Sequence, residues 1–492
     1  MKKAIVIGSG FAGMSAACFL AKEGVQVTVV EKHNTPGGRA RAFAANGFTF
    51  DMGPSWYWMP DVFERFFAQF GKTPADYYRL ERLSPSYRVF WEDGMTDIPS
   101  NYQELRSLFE QHEPGAGGRL DAFLKEAAYK YDAAFNHFIY QPGLSVTEFM
   151  RTDVVRSLLR IDMLTSMHKH VRRYFKHPKL QQLVEFPILF LGALPRNTPA
   201  LYSMMNYADM KLGTWYPMGG MVQVANAMHQ LAIELGVQFH FNETVTGIKA
   251  WGNEAGIVST DRQDLNADNI ILACDYHHAE TELLPDAYKN YSDGYWDTRE
   301  MAPSCLLYYV GIDRKIDALQ HHNLFFDAPF DAHAAALYIK PEWPSNPLMY
   351  VCCPSKTDAN VAPEGCENLF ILIPVAPGMQ DTEAIRNQYF DTAIQRIAQR
   401  TGIDIKPHIN YMRSYAHNDF VTDYNAFKGN AYGLANTLRQ TALLKPSIRN
   451  KKLHNLYYAG QLTVPGPGVP PALISGEIVA KQLLKKKTLK TA

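Results

Sequence analysis

The sequence predicts an α/β protein, and three features near its start make the case. An apolar run, Ala4-Ile5-Val6-Ile7, reads as a short strand buried on both faces. Gly8, Gly10 and Gly13 follow it as G-x-G-x-x-G, and Ala12 to Glu23 continue at helical spacing through Met14, Ala17, Cys18 and Ala21 until Gly24. A second apolar run, Val25 to Val30, ends at an acid, Glu31. Strand, glycine turn, helix, strand and acid in this order open a Rossmann-like dinucleotide-binding domain.

Each part answers a physical need. Gly8 allows the tight turn, Gly10 lets a pyrophosphate approach the backbone, and Gly13 lets helix and strand pack closely, while the first helical amides face the negative charge. Ser9 and Ala12 complete that turn. Glu31 follows Gly13 by eighteen residues, near the spacing of the acid that accepts hydrogen bonds from a ribose. Lys32 stands beside it, and Pro36-Gly37-Gly38-Arg39 brings a cation after a turn, placed to neutralise a diphosphate. Gly53-Pro54-Ser55 then forms a compact turn that lets backbone lie against a ligand.

Composition excludes several function classes. Lysine plus arginine and aspartate plus glutamate number 49 each in 492 residues, so no net charge draws the chain to nucleic acid. The length is enough for about three domains. The six cysteines show no paired metal spacing, and adjacent Cys352 and Cys353 on a strand would face opposite sides, a pattern that fits a reducing compartment. Lys2, Lys3 and the apolar run after them imitate a secretion signal, but Gly8 and Gly10 interrupt it and cleavage would destroy the glycine motif. Phe186 to Leu194, the strongest apolar stretch, is broken by proline and falls short of the roughly eighteen residues of a spanning helix.

Further along, Tyr87 to Glu92 and Met95 to Ile98 flank Asp93-Gly94 as a hairpin. From Gln103 to about Tyr207 the pattern is helical, with Leu120, Phe123, Leu124 and Ala127 at helical intervals. Within it Val154 to Tyr174 sets an apolar stripe beside Arg151, Arg156, Arg160, Lys169, Arg172 and Arg173. Two readings fit this stretch: a helix on a membrane surface, and a core-facing helix with a solvated basic face. Phe186 to Gly220, rich in Phe, Leu, Met and Tyr and broken by prolines, suits a lipophilic pocket as well as ordinary core. A helix over Val222 to Leu235 precedes strands at Val237 to Phe241, Val245 to Trp251 and Gly256 to Thr260, read as one small β layer. Asn269 to Cys274 is a buried strand leading to Asp275. Met301 to Ile312, His322 to Asp327, Leu348 to Cys353 and Leu369 to Val375 are strands of a second sheet, with a helix at Asp381 to Thr401. At the end, a strand at Leu456 to Ala459 stops at Gly460, and Pro465 to Pro471 leads into a helix, Ala472 to Leu484, whose N-terminus can face a polar ligand edge.

The combination of Gly8 to Gly13, Glu31, Gly37-Gly38-Arg39 and FDMGPS (Phe50 to Ser55) resembles the FAD-binding start of the flavin amine oxidase and carotenoid desaturase superfamily. The resemblance implies an extended FAD with its adenine end at Glu31, Val245 touching the adenine through its backbone, and the C-terminal strand, loop and helix holding the ribityl chain and flavin ring. The cofactor residues so implied are Gly8, Ser9, Gly10, Ala12, Gly13, Glu31, Lys32, Gly38, Arg39, Gly53, Pro54, Ser55, Val245, Gly460, Val469, Pro470 and Leu473. FDMGPSWYWMPDVF (Phe50 to Phe63), YPMGGM (Tyr216 to Met221), HHNLFFD (His321 to Asp327) and VPGPGVPPALISG (Val464 to Gly476) resemble bacterial phytoene desaturases, and the likeness runs nearly end to end. It implies desaturation of phytoene, a linear C40 carotenoid, by hydride transfer to FAD, giving lycopene or a related linear carotene. No second G-x-G-x-x-G follows a strand, so the electron acceptor expected is oxygen or a quinone, not a bound nicotinamide.

That chemistry needs no metal, and the pairs His168 with His170, His277 with His278, and His321 with His322 have no convincing further ligands in the sequence. Asp209, Asp275 and Glu477 are the acids available to stabilise positive charge, with no choice among them, and the catalytic residues stay unassigned. The expected architecture is a Rossmann-like FAD-binding domain (1–70, 213–278 and 425–492), an inserted α+β substrate domain (71–110 and 279–424) and a helical, membrane-facing region (111–212). The basic stretch and Lys485, Lys486, Lys487 and Lys490 point to a cytoplasmic protein peripheral to a membrane. The alternatives are desaturation of a later, hydroxylated carotenoid, amine oxidation on the same fold, and an escort protein for prenylated partners.

Overall fold

The computed structural model describes the backbone of residues 2–149, 162, 165–191 and 194–490. Its centre is a five-stranded parallel sheet in the order Leu456–Tyr458, Asn269–Leu272, Lys3–Ile7, Gln26–Val30 and Gln238–His240. Alternation along the first strand sorts the layers. Ala4 and Val6 join the core under the helices Phe11–Lys22 and Val469–Lys490, while Ile5 and Ile7 pack with Val245, Ile248 and Val258 of a three-stranded sheet on the other face. The sequence placed 237–241 in that small layer. Instead Gln238–His240 pairs in parallel with Gln26–Val30, because the helix Val222–Glu234 carries the chain back along the sheet before Gly236 turns it with φ of 85°.

The C-terminal helix starts at Val469, three residues earlier than expected, since Pro470 and Pro471 fall in its first turn, where a missing N–H costs nothing. It crosses the first helix at backbone distance. A Cβ on Gly476 would stand 2.2 Å from the Ala12 carbonyl oxygen and 2.7 Å from Ser15 Cβ. The Ser15 hydroxyl donates to the Leu473 carbonyl at 2.7 Å across the same contact.

A second sheet has seven strands in the order Ile409–Tyr415, Ser304–Ile312, Glu367–Val375, Met349–Cys352, His322–Phe325, Tyr87–Trp91 and Gly94–Ile98, antiparallel except where His322–Phe325 lies parallel to Tyr87–Trp91. The helix Glu383–Thr401, capped by the Thr382 side chain, covers one face through Tyr389, Ala393, Ile394 and Ile397. Leu307, Tyr309, Leu324, Tyr350, Phe370 and Leu372 face the main core on the other side. Cys352 and Cys353 fall on opposite faces as expected, and all six cysteines are free. The strand Ile409–Tyr415 went unread because an edge strand carrying Asn410, Arg413 and Ser414 has only a faint apolar pattern.

Residues 154–161 and 163–164 of the basic stretch read as a helix over Val154 to Tyr174 lie outside the described residues. In its described part a helix, Met167–Tyr174, begins where Ser166 takes extended backbone and caps the Lys169 amide. Of the lysine cluster, Lys485 is exposed, and the side chains beyond it lie outside the described residues. Among the described residues no helix is long and apolar enough to cross a membrane.

Gly476→Ala should therefore destabilise the protein, by about 1–3 kcal/mol of overpacking less the roughly 1 kcal/mol gained in helix propensity. Urea unfolding measures it, and an unchanged midpoint would show that the two helices can separate freely.

Candidate active site

The carboxyl ends of the parallel strands open on a cavity of about 320 Å³, where ligands bind on such sheets. Gly8, Gly10, Ala12, Glu31, Lys32, Gly38, Arg39, Gly53, Pro54, Val245, Gly460 and Val469, drawn from distant stretches of sequence, all line it. Five others do not. Ser9 and Gly13 lie behind the wall, Ser55 and Pro470 face a neighbouring cavity, and Leu473 is core, 1% exposed.

Glycine chemistry shapes the cradle. Gly8 has φ of 102°, and a Cβ on Gly13 would lie 2.0 Å from the Gly8 carbonyl oxygen, so strand and helix meet only without a side chain there. A Cβ on Gly10 would meet nothing within 4 Å: this is open space at the N-terminus of the helix Phe11–Lys22. Gly53 rests on the Arg39 carbonyl, where a Cβ would come to 2.5 Å.

Glu31 is 7% exposed. One carboxylate oxygen accepts from the Ser9 amide at 2.9 Å and hydroxyl at 2.8 Å, the other from the His33 amide at 3.0 Å. Ser9 thus aims the acid. Lys32 donates to the Thr422 carbonyl at 2.7 Å, and burial lowers its pKa. Arg39 lies over the Tyr424 ring, 5.0 Å from its centroid, and donates to the Asn430 carbonyl at 3.3 Å, but its Nε is buried without a hydrogen-bond partner. Burial lowers its pKa, and Asp275 opposes the shift. The Asp275 carboxyl, itself pushed up to about 6 by burial, accepts from the His278 and Phe427 amides and also lines the cavity. Tyr424 and Phe420 of the helix His417–Tyr424, with Gln461 and Gly468, are lining residues the sequence did not reveal. Asp275 had a signal, namely its place just past the carboxyl end of a buried parallel strand.

A cradle open at Gly10, an unpartnered guanidinium nitrogen beside it and an acid fixed at the strand end together fit the diphosphate and ribose of FAD.

A second cavity of about 300 Å³ adjoins the first and shares Gly53, Pro54, Leu372, Tyr432, Gly468 and Val469 with it. Trp56, Met59, Phe135, Ile139, Met204 and Val464 give it an apolar wall. The Phe186 to Gly220 segment divides: Leu201, Tyr202, Met204 and Met205 line this cavity, whereas Phe186 and Ile188 are core. Ser55 on the wall bonds Tyr350 Oη at 2.8 Å, which bonds His322 Nδ1 at 2.7 Å, and Trp56 stacks on His322 at 4.1 Å. Of the three candidate acids Asp275 lines the first cavity, and Asp209 and Glu477 line neither of the two. Asp209, pushed up to about 7 by burial, accepts from Tyr87 at 3.0 Å, and Glu477 pairs with Lys481 at 2.5 Å.

Tertiary contact gives His321, His322 and His170 neighbours that the sequence did not show. His321, His322 and Cys352 bring ligand atoms within 4.8 Å of one another, as do Glu126, Asp162 and His170. Cys352 escaped notice because it reaches His322 through antiparallel register. Burial holds His321 down to about 3 and His322 well below its ordinary value, which keeps both rings neutral.

A cavity that fits a dinucleotide, opening into an apolar one, is the arrangement of a dinucleotide-dependent enzyme with room for an apolar ligand. Residues 11–484 match the family described as flavin containing amine oxidoreductase, and the chain belongs to it. The carotenoid 3,4-desaturase of Haloarcula japonica is 44% identical over 98% of this chain and 97% of its own length. The zeta-carotene-forming phytoene desaturase of Myxococcus xanthus is 29% identical over 98% and 94%. The 4,4'-diapophytoene desaturase of Staphylococcus aureus is 30% identical over 98% and 99%. A Methanosarcina mazei oxidoreductase has the same fold, with TM-score 0.64 and 16% identity over 97% of this chain and 100% of its own. Putrescine oxidase, TM-score 0.63 at 13% identity over 98% and 99%, shares the fold too. Within the family the chain groups with the carotenoid desaturases, as an FAD-dependent oxidoreductase acting on CH–CH bonds.

Two variants separate the roles in the first cavity. Gly10→Val should fold with stability within about 0.5 kcal/mol of wild type yet purify without flavin absorbance, because the side chain fills only the open cradle. Glu31→Ala should lose both flavin and about 1–3 kcal/mol, since buried donors on Ser9 are left unpaired. Full flavin occupancy in either would remove that residue from the cofactor site.

Proposed function

We propose that the chain introduces a double bond at the 3,4 position of a linear carotenoid. The observation that carries this reading is the 44% identity, end to end, to a carotenoid 3,4-desaturase, against 29–30% to relatives named for phytoene or diapophytoene. Phytoene desaturation is the second reading, supported by the Myxococcus relative.

When bound, FAD supplies the acceptor for the hydride equivalent leaving one carbon. The chain's own residues do the rest. A hydrocarbon offers no polar handle, so Trp56, Met59, Phe135 and Met204 fix it by shape in an apolar cavity. Gly53, Pro54, Gly468 and Val469, shared by both cavities, put the substrate beside the flavin end of the cofactor. We further propose oxygen or a quinone as the acceptor that regenerates the oxidised cofactor, the three-part domain division set out above, and peripheral attachment to the cytoplasmic face of the membrane that holds the substrate. The last is supported by an apolar cavity without a spanning helix among the described residues.

Expression in hosts accumulating either phytoene or a later linear carotenoid, followed by pigment analysis, tests the reading. A 3,4-dehydro product from the later carotenoid alone is expected; conversion of phytoene alone would replace the first reading by the second. For the membrane, flotation with anionic vesicles is expected at low salt and to weaken at high salt. No flotation at either salt would dismiss attachment.

A further inference from the structure

Where the strands His322–Phe325 and Met349–Cys352 pair, three side chains able to bind a metal come together inside the protein. His322 stands directly opposite Cys352 in the antiparallel register, so both side chains leave the sheet on one face. His321, the residue before the strand, is held by its carbonyl, which accepts from the Cys353 amide at 2.7 Å. Ligand atoms of His321, His322 and Cys352 lie within 4.8 Å of one another, and the three residues are 4%, 0% and 1% exposed.

Each ring has one nitrogen engaged and one free. His321 Nδ1 bonds Thr357 Oγ1 at 2.8 Å and His322 Nδ1 bonds Tyr350 Oη at 2.7 Å, whereas Nε2 of both rings is buried without a partner. Two such nitrogens side by side are costly in a folded protein. A ring that donates its Nδ1 proton to a hydroxyl oxygen keeps a lone pair on Nε2, which is how histidine is prepared for a metal. Tyr350 also lies against the Cys352 thiol and bonds Ser55 at 2.8 Å, so one phenol steadies two of the three ligands. Trp56 stacks on His322 at 4.1 Å and Tyr216 packs on His321 at 4.6 Å, which fixes the planes of both rings.

The donor set selects the ion. Two imidazoles and a thiolate suit copper(I) or zinc, and they do not suit magnesium or calcium. Zinc in a closed site asks for a fourth ligand, and no carboxylate joins this group: Asp51, near enough to act on Cys352, accepts with its two oxygens from the Met221 and Val222 amides. Charge points the same way. A divalent ion on one thiolate leaves a buried positive charge, while copper(I) on one thiolate leaves none. The group Glu126, Asp162 and His170 is different, because the Lys130 ammonium, 2.6 Å from Glu126 and 3.8 Å from Asp162, already supplies a cation there.

We propose that His321, His322 and Cys352 form a three-coordinate site for one copper(I) ion, set behind the part of the second cavity's wall that Ser55, Trp56 and Tyr350 line. Binding exchanges the thiol proton for the metal and changes no oxidation state. The ion joins two neighbouring strands, so its role is to hold that wall in place. The site does not depend on which carotenoid the enzyme takes.

The test measures metal in the FAD-loaded full chain, purified under reducing, oxygen-free conditions from cells grown with added copper. About one copper per chain is expected, with X-ray absorption showing one sulfur and two nitrogen neighbours. Cys352→Ser should cut the copper content about tenfold or more. Cys353→Ser, on the opposite face and able to keep the contacts with Ser355 and Glu367, should hold the wild-type amount. Tyr350→Phe keeps all three ligands but removes the acceptor of the His322 Nδ1 proton, and it should weaken copper(I) binding about 10- to 100-fold in competition with a copper(I) chelator. Wild type without metal would mean that a water molecule fills the space between the two free nitrogens, and it would overturn the proposal. So would zinc in place of copper, copper with no sulfur neighbour, or undiminished copper in Cys352→Ser. Because X-ray absorption reads the ligands in the wild type itself, the proposal stands or falls even where a variant does not fold.

Discussion

Two contacts of backbone on backbone hold the site together. The first helix is pinned to the first strand at Gly13, where a methyl group would sit on the Gly8 carbonyl, and to the C-terminal helix at Gly476, where a methyl group would sit on the Ala12 carbonyl. Neither contact has room for a side chain. Together they fix the direction in which the helix N-terminus points, and they bring Gly460 and Val469, more than four hundred residues away, to the same cavity as Gly10. Close packing at this density transmits small displacements rather than absorbing them, so the geometry of both ends of the chain is set in one place.

Around that frame the polar groups divide into two kinds. Glu31, Asp51 and Asp275 already have their donors: the first accepts from Ser9 and His33, the second from the Met221 and Val222 amides, the third from His278 and Phe427. These bonds make the walls rigid before any ligand arrives. Arg39 Nε, on a residue that lines the first cavity, and Lys445 Nζ have none. Buried polar atoms are ordinarily paired, and the unpaired Arg39 Nε stands on the wall of the cavity that fits a diphosphate.

The local parts of this site were legible in the sequence because their logic is local. A glycine triplet between an apolar run and a helix, an acid at the next strand end, and a proline-bounded helix start each declare themselves within about twenty residues. Roles set by tertiary contact were not legible. Ser9 holds Glu31 instead of lining the cavity, Leu473 offers only its carbonyl to Ser15, and Tyr424 reaches Arg39 from a helix nearly four hundred residues on. Register hid Cys352 from His322, and a short strand, Gln238–His240, took the sheet edge that its own pattern could not specify. The fold class followed from periodicity. Which polar atoms would be left without partners did not, because that depends on every neighbour at once.

The shared wall between the cavities, six residues from Gly53 to Val469, bears on how often a molecule must visit. A rod-like molecule with two equivalent halves can lay one half against this wall at a time, and nothing in a packed protein lets it somersault in place. Converting both halves requires it to depart, reverse and return. For such a substrate the half-finished compound would leave as a free intermediate and compete with fresh material for the same cavity, so the proportion of one-sided to two-sided product would follow supply and residence time rather than chemistry.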